Sequence, residues 1–261
     1  MIDIIVAGYP KSGNTWVTRL VGELVGCPVV GFLGEEDNKS ICEGLYRKSE
    51  FQCFKSHYQL HELQSIRTNT KKIIYVIRDP RDIVISGAAY FRIERWAYLV
   101  KFIKLFPKGE KIYKESLKPL FSPPHYRIER MVHAVLYGSK KIHWWIRIPW
   151  ETHYKPYMEN QCFFVKYEDL LCKPERECKR ILKYLGLERE DHQIGKAIER
   201  QSFKKKKEAF LKNNEIGKAN FMRIGKKEQW RQELSEEQKK MFRQILTKNL
   251  TQFEYPINDD I

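Results

Sequence analysis

Along this chain, short runs of consecutive apolar residues alternate with longer stretches in which apolar residues recur at helical spacing. Four short runs predict strands, at residues 2–7, 51–56, 72–77 and 161–166. The first, Ile-Asp-Ile-Ile-Val-Ala, is apolar nearly throughout and is typical of a strand buried on both faces of a parallel sheet. Strands separated by helices predict a single α/β domain, with a parallel sheet flanked by helices on both faces.

Helical periodicity fills much of the remaining chain. One helix is predicted from the residue after Gly13 to residue 25, and others over 82–91, 130–150, 174–185 and 190–201. A last helix is predicted from Ser235, where the sequence has a capping pattern. Residues 27–50 are predicted as loop with little regular structure. Within the single domain of residues 1–261, residues 92–130 are aromatic, basic and interrupted by prolines, which predicts an inserted lid or wall of a binding site. The alternative is a helical excursion that packs on the core.

The turn between the first strand and the first helix has the layout of a phosphate cradle. Gly8 ends the strand, Lys11 lies in the turn, and backbone N–H groups at the start of the helix would point at an anion. Gly8 and Gly13 have the spacing of a Walker A loop, but Asn14 stands where that loop has its lysine. The turn is therefore P-loop-like without being an ATPase loop, and an ordinary β–α turn is the alternative.

The residues of this turn resemble a known family. Residues 9–16 read Tyr-Pro-Lys-Ser-Gly-Asn-Thr-Trp, which resembles the Tyr-Pro-Lys-Ser-Gly-Thr-Thr-Trp loop of the cytosolic-type sulfotransferases. Those enzymes use 3′-phosphoadenosine 5′-phosphosulfate (PAPS) and bind its 5′-phosphosulfate there. The resemblance implies that Lys11, Ser12, Gly13, Asn14, Thr15 and Trp16 bind the cofactor. Asn14 replaces a threonine but can still offer a donor to a phosphate oxygen.

Two further motifs follow in the family's order. Lys55-Ser56-His57 resembles the Lys-Thr-His motif that supplies the base, and a histidine near neutral pKa suits removal of the acceptor's proton. Arg78, followed eight residues later by Ser86, resembles the segment that holds the 3′-phosphate. An arginine at a strand end can hold a phosphate through two parallel hydrogen bonds. A structural Arg78–Asp82 ion pair is the alternative.

The remaining motifs concern the adenine and the 3′-phosphate. Tyr167 lies in a segment similar to the family's Tyr-Glu-Asp-Leu, whose tyrosine lies close to the adenine, and Ser202-Phe203 resembles the end of its Thr-Ser-Phe. Trp16 and Phe203 are expected to sandwich the adenine, with core packing as the alternative. Arg223 and Gly225 match the family's Arg-Lys-Gly clamp, although Ile224 replaces its lysine.

Together the motifs imply a PAPS-dependent sulfotransferase that releases 3′-phosphoadenosine 5′-phosphate (PAP) and requires no metal. The predicted catalytic residues are His57, Lys11, Lys55 and Ser86. His57 would take the acceptor's proton, while Lys11 and Lys55 offset charge on the leaving group. Within the family we expect a bacterial or natural-product-modifying member, acting in secondary metabolism.

Composition narrows the alternatives. The formal net charge of +15 indicates an anionic partner, which a nucleic acid, an acidic membrane surface or a heavily phosphorylated small molecule would satisfy. A kinase with a degenerate phosphate loop and a basic nucleic-acid binder are the other hypotheses. Six scattered cysteines suit reduced thiols in a cytoplasmic protein, and neither a signal peptide nor a membrane span is apparent. We expect no nucleic-acid and no membrane partner, and the oligomeric state stays open.

The acceptor is the part of the reaction that the sequence describes least. Candidates for an aromatic wall, which would suit a small, flat or cyclic acceptor, are Tyr90, Phe91, Trp96, Tyr98, Phe102, Phe106, Tyr113, Trp144 and Trp145. A natural product or xenobiotic with a phenol, another hydroxyl or an amine fits this expectation. An acidic patch at residues 35–37 would meet a cationic acceptor if it reached the site.

Overall fold

The computed structural model describes residues 1–34, 39–66, 71–91, 93–94, 96–212 and 226–258. The chain forms two compact units. The first contains residues 1–78 and 152–227, and the second contains residues 79–151 and 228–261. The insertion predicted over 92–130 belongs to the second unit, and the acidic patch at 35–37 lies outside the described residues.

The first unit is built on a parallel sheet of five strands. The strands are β1 (Ile2–Ala7), β2 (Val29–Phe32), β3 (Phe51–Ser56), β4 (Lys71–Ile77) and β5 (Phe163–Lys166). They lie in the order β2-β3-β1-β4-β5, and every neighbouring pair is parallel. β1 is central, and its residues from Ile4 to Ala7 are completely buried, as a two-sided core strand requires.

Helices connect these strands and follow the last of them. They are α1 (Asn14–Val25), α2 (Leu60–Ser65), α3 (Pro80–Tyr90), α4 (Ala97–Leu105), α5 (Gly109–Ile112), α6 (Lys118–Phe121), α7 (Pro124–Tyr137), α8 (Trp150–Glu159), α9 (Tyr167–Cys172), α10 (Pro174–Leu185), α11 (Asp191–Arg200), α12 (Phe203–Lys212), α13 (Trp230–Glu233) and α14 (Glu236–Gln252). Short 3₁₀ turns cover Lys39–Ile41 and Trp144–Ile146, and a π-helical turn covers Tyr113–Leu117.

Helices of the first unit cover both faces of the sheet. Side chains alternate between the faces along a strand, so Lys72 and Tyr75 of β4 point in opposite directions. The Tyr75 ring packs against Tyr157 of α8, with 4.6 Å between centroids, whereas the Lys72 ammonium lies 5.4 Å from the Tyr184 ring of α10. The predicted α/β class, with its P-loop-like parallel sheet, is confirmed.

Two predictions of local structure are wrong. Residues 27–50 contain β2, a four-residue edge strand with a register irregularity between Val29 and Gly31. The helix predicted over 130–150 is two helices, because α7 ends at Tyr137 and α8 starts at Trp150. Gly138 separates them with φ 81°, and a Cβ there would lie 2.5 Å from the Arg147 carbonyl oxygen. The chain turns there, where only glycine fits.

In the second unit, α3 starts with a capped and ion-paired turn. The predicted start at Asp82 is two residues late, because Asp79 accepts a hydrogen bond from the Arg81 N–H and Pro80 occupies the first helical position. The same Asp79 carboxylate binds the Arg81 side chain, at 2.7 and 3.0 Å, and the Arg81 guanidinium stacks on Trp230 of α13 at 3.6 Å. Helix α14 begins with the capping box predicted at Ser235.

The inserted segment of the second unit has a small core of its own. Val100, Tyr113 and Phe121 are buried together, with Ile103 and Leu117 packed beside them. Within the described ranges, none of the helices is both long enough and apolar enough to cross a bilayer. All six cysteines fall inside those ranges, and each is a free thiol.

Candidate active site

The turn between β1 and α1 is held in a left-handed conformation at two positions. Lys11 has φ 73° and Gly13 has φ 95°. The conformation costs a non-glycine residue about 1–2 kcal/mol, so Lys11 stores strain that its neighbours must offset. A Cβ on Gly13 would lie 2.5 Å from the Tyr167 ring, which allows no side chain at this position. The loop therefore needs a glycine there for both backbone and space.

Arg78 fixes this loop from the adjacent strand end. Its guanidinium donates to the Lys11 carbonyl oxygen at 3.0 Å and to the Lys226 carbonyl oxygen at 3.4 Å. The guanidinium carbon also lies 4.5 Å from the centroid of the Tyr167 ring. Arg78 thus joins the strained Lys11 to the aromatic side chain that closes over Gly13.

The start of α1 provides the features of an anion cradle. The first N–H groups of a helix have no partner within it, and in α1 these are the groups of Asn14, Thr15 and Trp16. Ser12 is fully buried, and its hydroxyl oxygen has no hydrogen-bond partner among the described residues. The Lys55 ammonium donates to the Thr15 hydroxyl at 2.9 Å. An orphaned hydroxyl, helix N–H groups and a lysine together fit a phosphosulfate group.

Asn14 differs from the expectation that its side chain serves the phosphate. Its amide nitrogen lies 2.9 Å from the Gly8 carbonyl oxygen and 3.3 Å from the Ser56 carbonyl oxygen. The same nitrogen lies 3.3 Å from Nδ1 of the His57 ring, and the residue is buried. Asn14 therefore joins the start of the loop to the strand that carries His57.

His57 is the buried histidine that follows β3. Its Nδ1 lies 2.8 Å from the Gly8 carbonyl oxygen and 3.3 Å from the Asn14 amide nitrogen. The carbonyl oxygen can only accept, and this shorter contact assigns the hydrogen to Nδ1 and the lone pair to Nε2. Burial lowers the pKa of His57 well below its usual value, and the positive charge of Lys55 lowers it further, while the hydrogen bond to Gly8 opposes both effects. The imidazole is consequently neutral at neutral pH, which is the state that a base requires.

An aromatic cluster lies beside the loop. The Trp16 ring is 5.7 Å from the Tyr167 ring and 5.6 Å from the Phe203 ring, measured between centroids. Two rings that hold a base between them need to be roughly 7 Å apart, twice a van der Waals contact. Trp16 and Phe203 contact each other at 49°, so the expected sandwich requires one of them to move. Ser202 accepts a hydrogen bond from the Lys205 N–H at 3.4 Å.

The residues predicted for the 3′-phosphate are described only in part. Ser86 lies half-buried on α3 in the second unit, and Arg223 and Gly225 lie outside the described residues. Lys226, which directly follows Gly225 in the chain, places its carbonyl oxygen beside Arg78. Asp82 accepts from the backbone N–H groups of Glu228 and Trp230, at 2.8 and 3.2 Å.

One contributor to the cluster was absent from the predicted set. The Trp16 indole N–H donates to the Gln201 carbonyl oxygen at 3.0 Å, and the Gln201 amide donates to the Glu43 carboxylate at 2.7 Å. Gln201 thereby fixes Trp16 through its backbone, which any residue type could do. Only its position immediately before Ser202 hinted at this role.

Comparison with known proteins identifies the family. Residues 35–254 match the family model described as the sulfotransferase domain. The chain belongs to the sulfotransferase domain family. The match begins after the phosphate loop, but rat sulfotransferase 1A1 is 26% identical over an alignment of 288 positions, which covers 97% of this chain and 86% of that protein. Dog sulfotransferase 1B1 is also 26% identical, over 95% of this chain and 83% of that protein.

Solved structures share the fold. Mouse sulfotransferase SULT7A1, crystallised with PAP, superposes with a TM-score of 0.66 at 20% identity, over 95% of this chain and 84% of that one. Retinol dehydratase in complex with androsterone and PAP gives a TM-score of 0.60 at 22% identity, over 95% and 80% of the two chains. The expected enzyme class, a sulfotransferase that uses PAPS, is confirmed by the family.

Proposed function

We propose that this enzyme transfers the sulfuryl group of PAPS to a hydroxyl or an amine of a small-molecule acceptor, with His57 as the general base. The observation that carries the proposal is the 2.8 Å contact between His57 Nδ1 and the Gly8 carbonyl oxygen. Its Nδ1–H is held by the Gly8 carbonyl oxygen at the start of the phosphate loop, which leaves the basic lone pair on Nε2. A neutral base fixed to the cofactor loop suits proton removal during transfer.

The proposed 5′-phosphosulfate site is the loop from Lys11 to Trp16. When bound, PAPS supplies an activated sulfuryl group attached to a phosphate leaving group. The helix N–H groups and the Ser12 hydroxyl would bind its oxygens, while Lys11 and Lys55 would offset the charge that develops as PAP departs. The Lys55–Thr15 contact of 2.9 Å supports this arrangement, because it directs the ammonium toward the start of α1.

The proposed 3′-phosphate site consists of Arg78, Ser86, Arg223 and Gly225. The contact of 3.4 Å between Arg78 and the carbonyl oxygen of Lys226, the residue after Gly225 in the sequence, supports it. Binding of a phosphate would exchange the carbonyl contacts of Arg78 for stronger, charge-assisted ones. Tyr167, Ser202 and Phe203 would complete the adenine site with Trp16, after the Trp16–Phe203 contact opens.

For the acceptor, we propose a lipophilic hydroxyl compound, with an amine as the alternative. Of the nine candidate wall residues, Phe91 and Tyr113 are buried, and the Tyr113 hydroxyl donates to Glu94 at 2.6 Å. The exposed ones include Trp96, Tyr98 and Phe102, which suit an apolar ring system. Fold relatives crystallised with retinol or androsterone, at 22% identity, support the same class. The bacterial origin and the role in secondary metabolism stay predictions.

The alternative functions receive less support. A kinase of the Walker type needs a lysine where Asn14 stands, and the Asn14 amide donates to backbone carbonyl oxygens. A nucleic-acid-binding role rests on net charge alone. We also propose a cytoplasmic location, which the six free thiols support.

Calorimetric titration in the absence of magnesium, with PAP and separately with ATP, tests the cofactor assignment. We expect tight binding of PAP and weak binding of ATP. A preference for ATP, or binding of neither nucleotide, would overturn the proposal.

Substitution of His57 by alanine tests the base. We expect kcat to fall by roughly 10²–10⁴-fold, the usual contribution of a general base, with PAP affinity retained. In the parent enzyme, kcat should decline with falling pH only well below pH 6.5, because the lowered pKa keeps His57 unprotonated until then. His61→Ala, at an exposed histidine of α2, is the matched control. Near-parental kcat in His57→Ala would show that His57 is not the base.

A further inference from the structure

A set of buried hydrogen bonds connects His57 to the phosphate loop by a second route. His153 of α8 lies between two partners, with its Nδ1 2.7 Å from the Tyr75 hydroxyl and its Nε2 3.1 Å from the His57 carbonyl oxygen. The Tyr75 hydroxyl oxygen in turn interacts with the backbone N–H of Tyr9. Tyr9 and Gly8 share one peptide group, and its carbonyl oxygen binds the His57 ring.

These bonds form a closed circuit. It runs from the Gly8–Tyr9 peptide to Tyr75, then to His153, to the backbone of His57, and through the His57 ring back to the same peptide. The members come from four separate parts of the sequence and all belong to the first unit. His153 and Tyr75 are almost fully buried, so water does not compete for these bonds.

With a neutral His153, each bond in the circuit has one direction. The His57 carbonyl oxygen can only accept, so His153 carries its hydrogen on Nε2, and in a neutral imidazole its Nδ1 then accepts from the Tyr75 hydroxyl. The Tyr75 oxygen accepts from Tyr9 N–H, and the His57 Nδ1–H donates to Gly8. All donors therefore point the same way around the ring, and within it the Tyr75 hydroxyl and the His153 imidazole each accept one bond and donate the next, which strengthens both.

We infer that Tyr75 and His153 are positioning residues that hold His57 in its basic tautomer and align it with the phosphate loop. This inference rests on the proposed role of His57 as base. A rotation of the His57 ring breaks its bond to Gly8, and a shift of its backbone breaks the bond to His153. The base and the first peptide of the cofactor loop consequently move together.

A pair of tyrosine variants tests the circuit. Tyr75→Phe removes the hydroxyl that links Tyr9 to His153, and we expect kcat to fall about 10-fold, the effect of one lost buried hydrogen bond. Tyr157→Phe is the matched control, because its hydroxyl donates to the Tyr58 carbonyl oxygen at 2.6 Å and its ring packs on His153, outside the circuit. It should keep kcat within about 2-fold. Equal kcat losses in the two variants would overturn the inference.

Conservative substitutions of His153 separate its two bonds. The amide nitrogen of Gln reaches the position of Nε2 and can still donate to the His57 carbonyl oxygen, whereas the amide of Asn reaches only the position of Nδ1. We expect His153→Gln to retain kcat within about 3-fold and His153→Asn to lose roughly 10-fold, with PAP affinity unchanged in both. Equal kcat in the two variants, or a change in PAP affinity alone, would contradict the positioning role.

Nitrogen-15 NMR of histidine-labelled protein provides a readout that does not depend on activity. We expect His57 as the Nδ1–H tautomer and His153 as the Nε2–H tautomer, and a tautomer mixture at His57 in Tyr75→Phe but not in Tyr157→Phe. Unchanged His57 signals in Tyr75→Phe would overturn the inference. Failure of the base assignment is distinguishable, because His57→Ala would then keep its kcat whatever the tyrosine variants do.

Discussion

The phosphate loop and the inserted segment of the second unit differ in which side chains are buried and which are exposed to solvent. Around the loop, polar groups such as Asn14, Lys55 and Arg78 are buried, and each donates a hydrogen bond to the backbone or to a neighbouring side chain. In the insertion, large apolar side chains are exposed, with Tyr98 at 89% and Leu105 at 82% of their maximal accessibility.

The difference indicates how specificity is divided between cofactor and acceptor. Buried polar groups with fixed partners tolerate few geometries, so the phosphate loop is preorganised for one kind of ligand. Exposed aromatic side chains over a small core tolerate many shapes. We therefore expect substitutions in the loop to change stability and cofactor binding, and substitutions of the exposed aromatic residues in the insertion to change only the choice of acceptor.

The largest effect is expected from Gly13→Ala. The new methyl group would combine left-handed strain with a clash against the Tyr167 ring, 2.5 Å away, and we expect the free energy of unfolding to fall by about 3 kcal/mol. PAP affinity should fall by roughly 10-fold or more, because Tyr167 must move. Chemical denaturation and calorimetry measure the two quantities.

Gly26→Ala is the matched control for this substitution. Gly26 has φ 75°, but a Cβ there would have no heavy atom within 4 Å, so only the strain of about 1 kcal/mol remains. Equal losses of stability and of PAP affinity in the two variants would show that the loop is not preorganised by the Tyr167 contact.

Arg78→Lys is expected to have an intermediate effect. Lysine keeps the charge but loses the planar fork and the contact with the Tyr167 face, and we expect PAP affinity to fall about 10-fold. Arg189→Lys serves as control, since Arg189 also donates to two backbone carbonyl oxygens, those of Val25 and Glu188, away from the loop. If calorimetry gives PAP the same affinity for both variants, Arg78 does not bind the cofactor.

The smallest effects are expected in the insertion. Tyr98→Ser and Phe102→Ser should change the free energy of unfolding by less than about 0.5 kcal/mol and leave PAP affinity unchanged, because both side chains are exposed. Val100→Ala, in the buried cluster of the same segment, should cost about 2 kcal/mol. If KM for every acceptor tested stays at the parental value in the serine variants, these aromatics do not contact the acceptor.

The regular parts of the fold could be predicted from the sequence where a strong local pattern had clear ends. Strands β1 and β3 and helix α10 have the predicted bounds, the helix because Pro174 starts it and Gly186 ends it. Strand β2 was missed because it is short and Gly31 interrupts its apolar run. The break at Gly138 was missed because apolar residues continue on both sides of it.

The candidate site was predictable only to the level of its motifs. Resemblance identified Lys11 and His57, but not that the Asn14 amide would donate to two strand ends or that His153 would join the His57 backbone. Such bonds connect residues up to 96 positions apart and leave no periodic pattern in the sequence. They depend on how the strands and α8 pack, which only the folded structure reveals.

The closed circuit also constrains how this enzyme can evolve. Tyr75 and His153 each have a partner on either side, so the loss of one leaves a donor and an acceptor buried without a match. Residues that make separate contacts can be substituted one at a time, but the residues of a closed ring of hydrogen bonds are kept or lost together. Descendants of this chain should therefore retain both residues or replace both together.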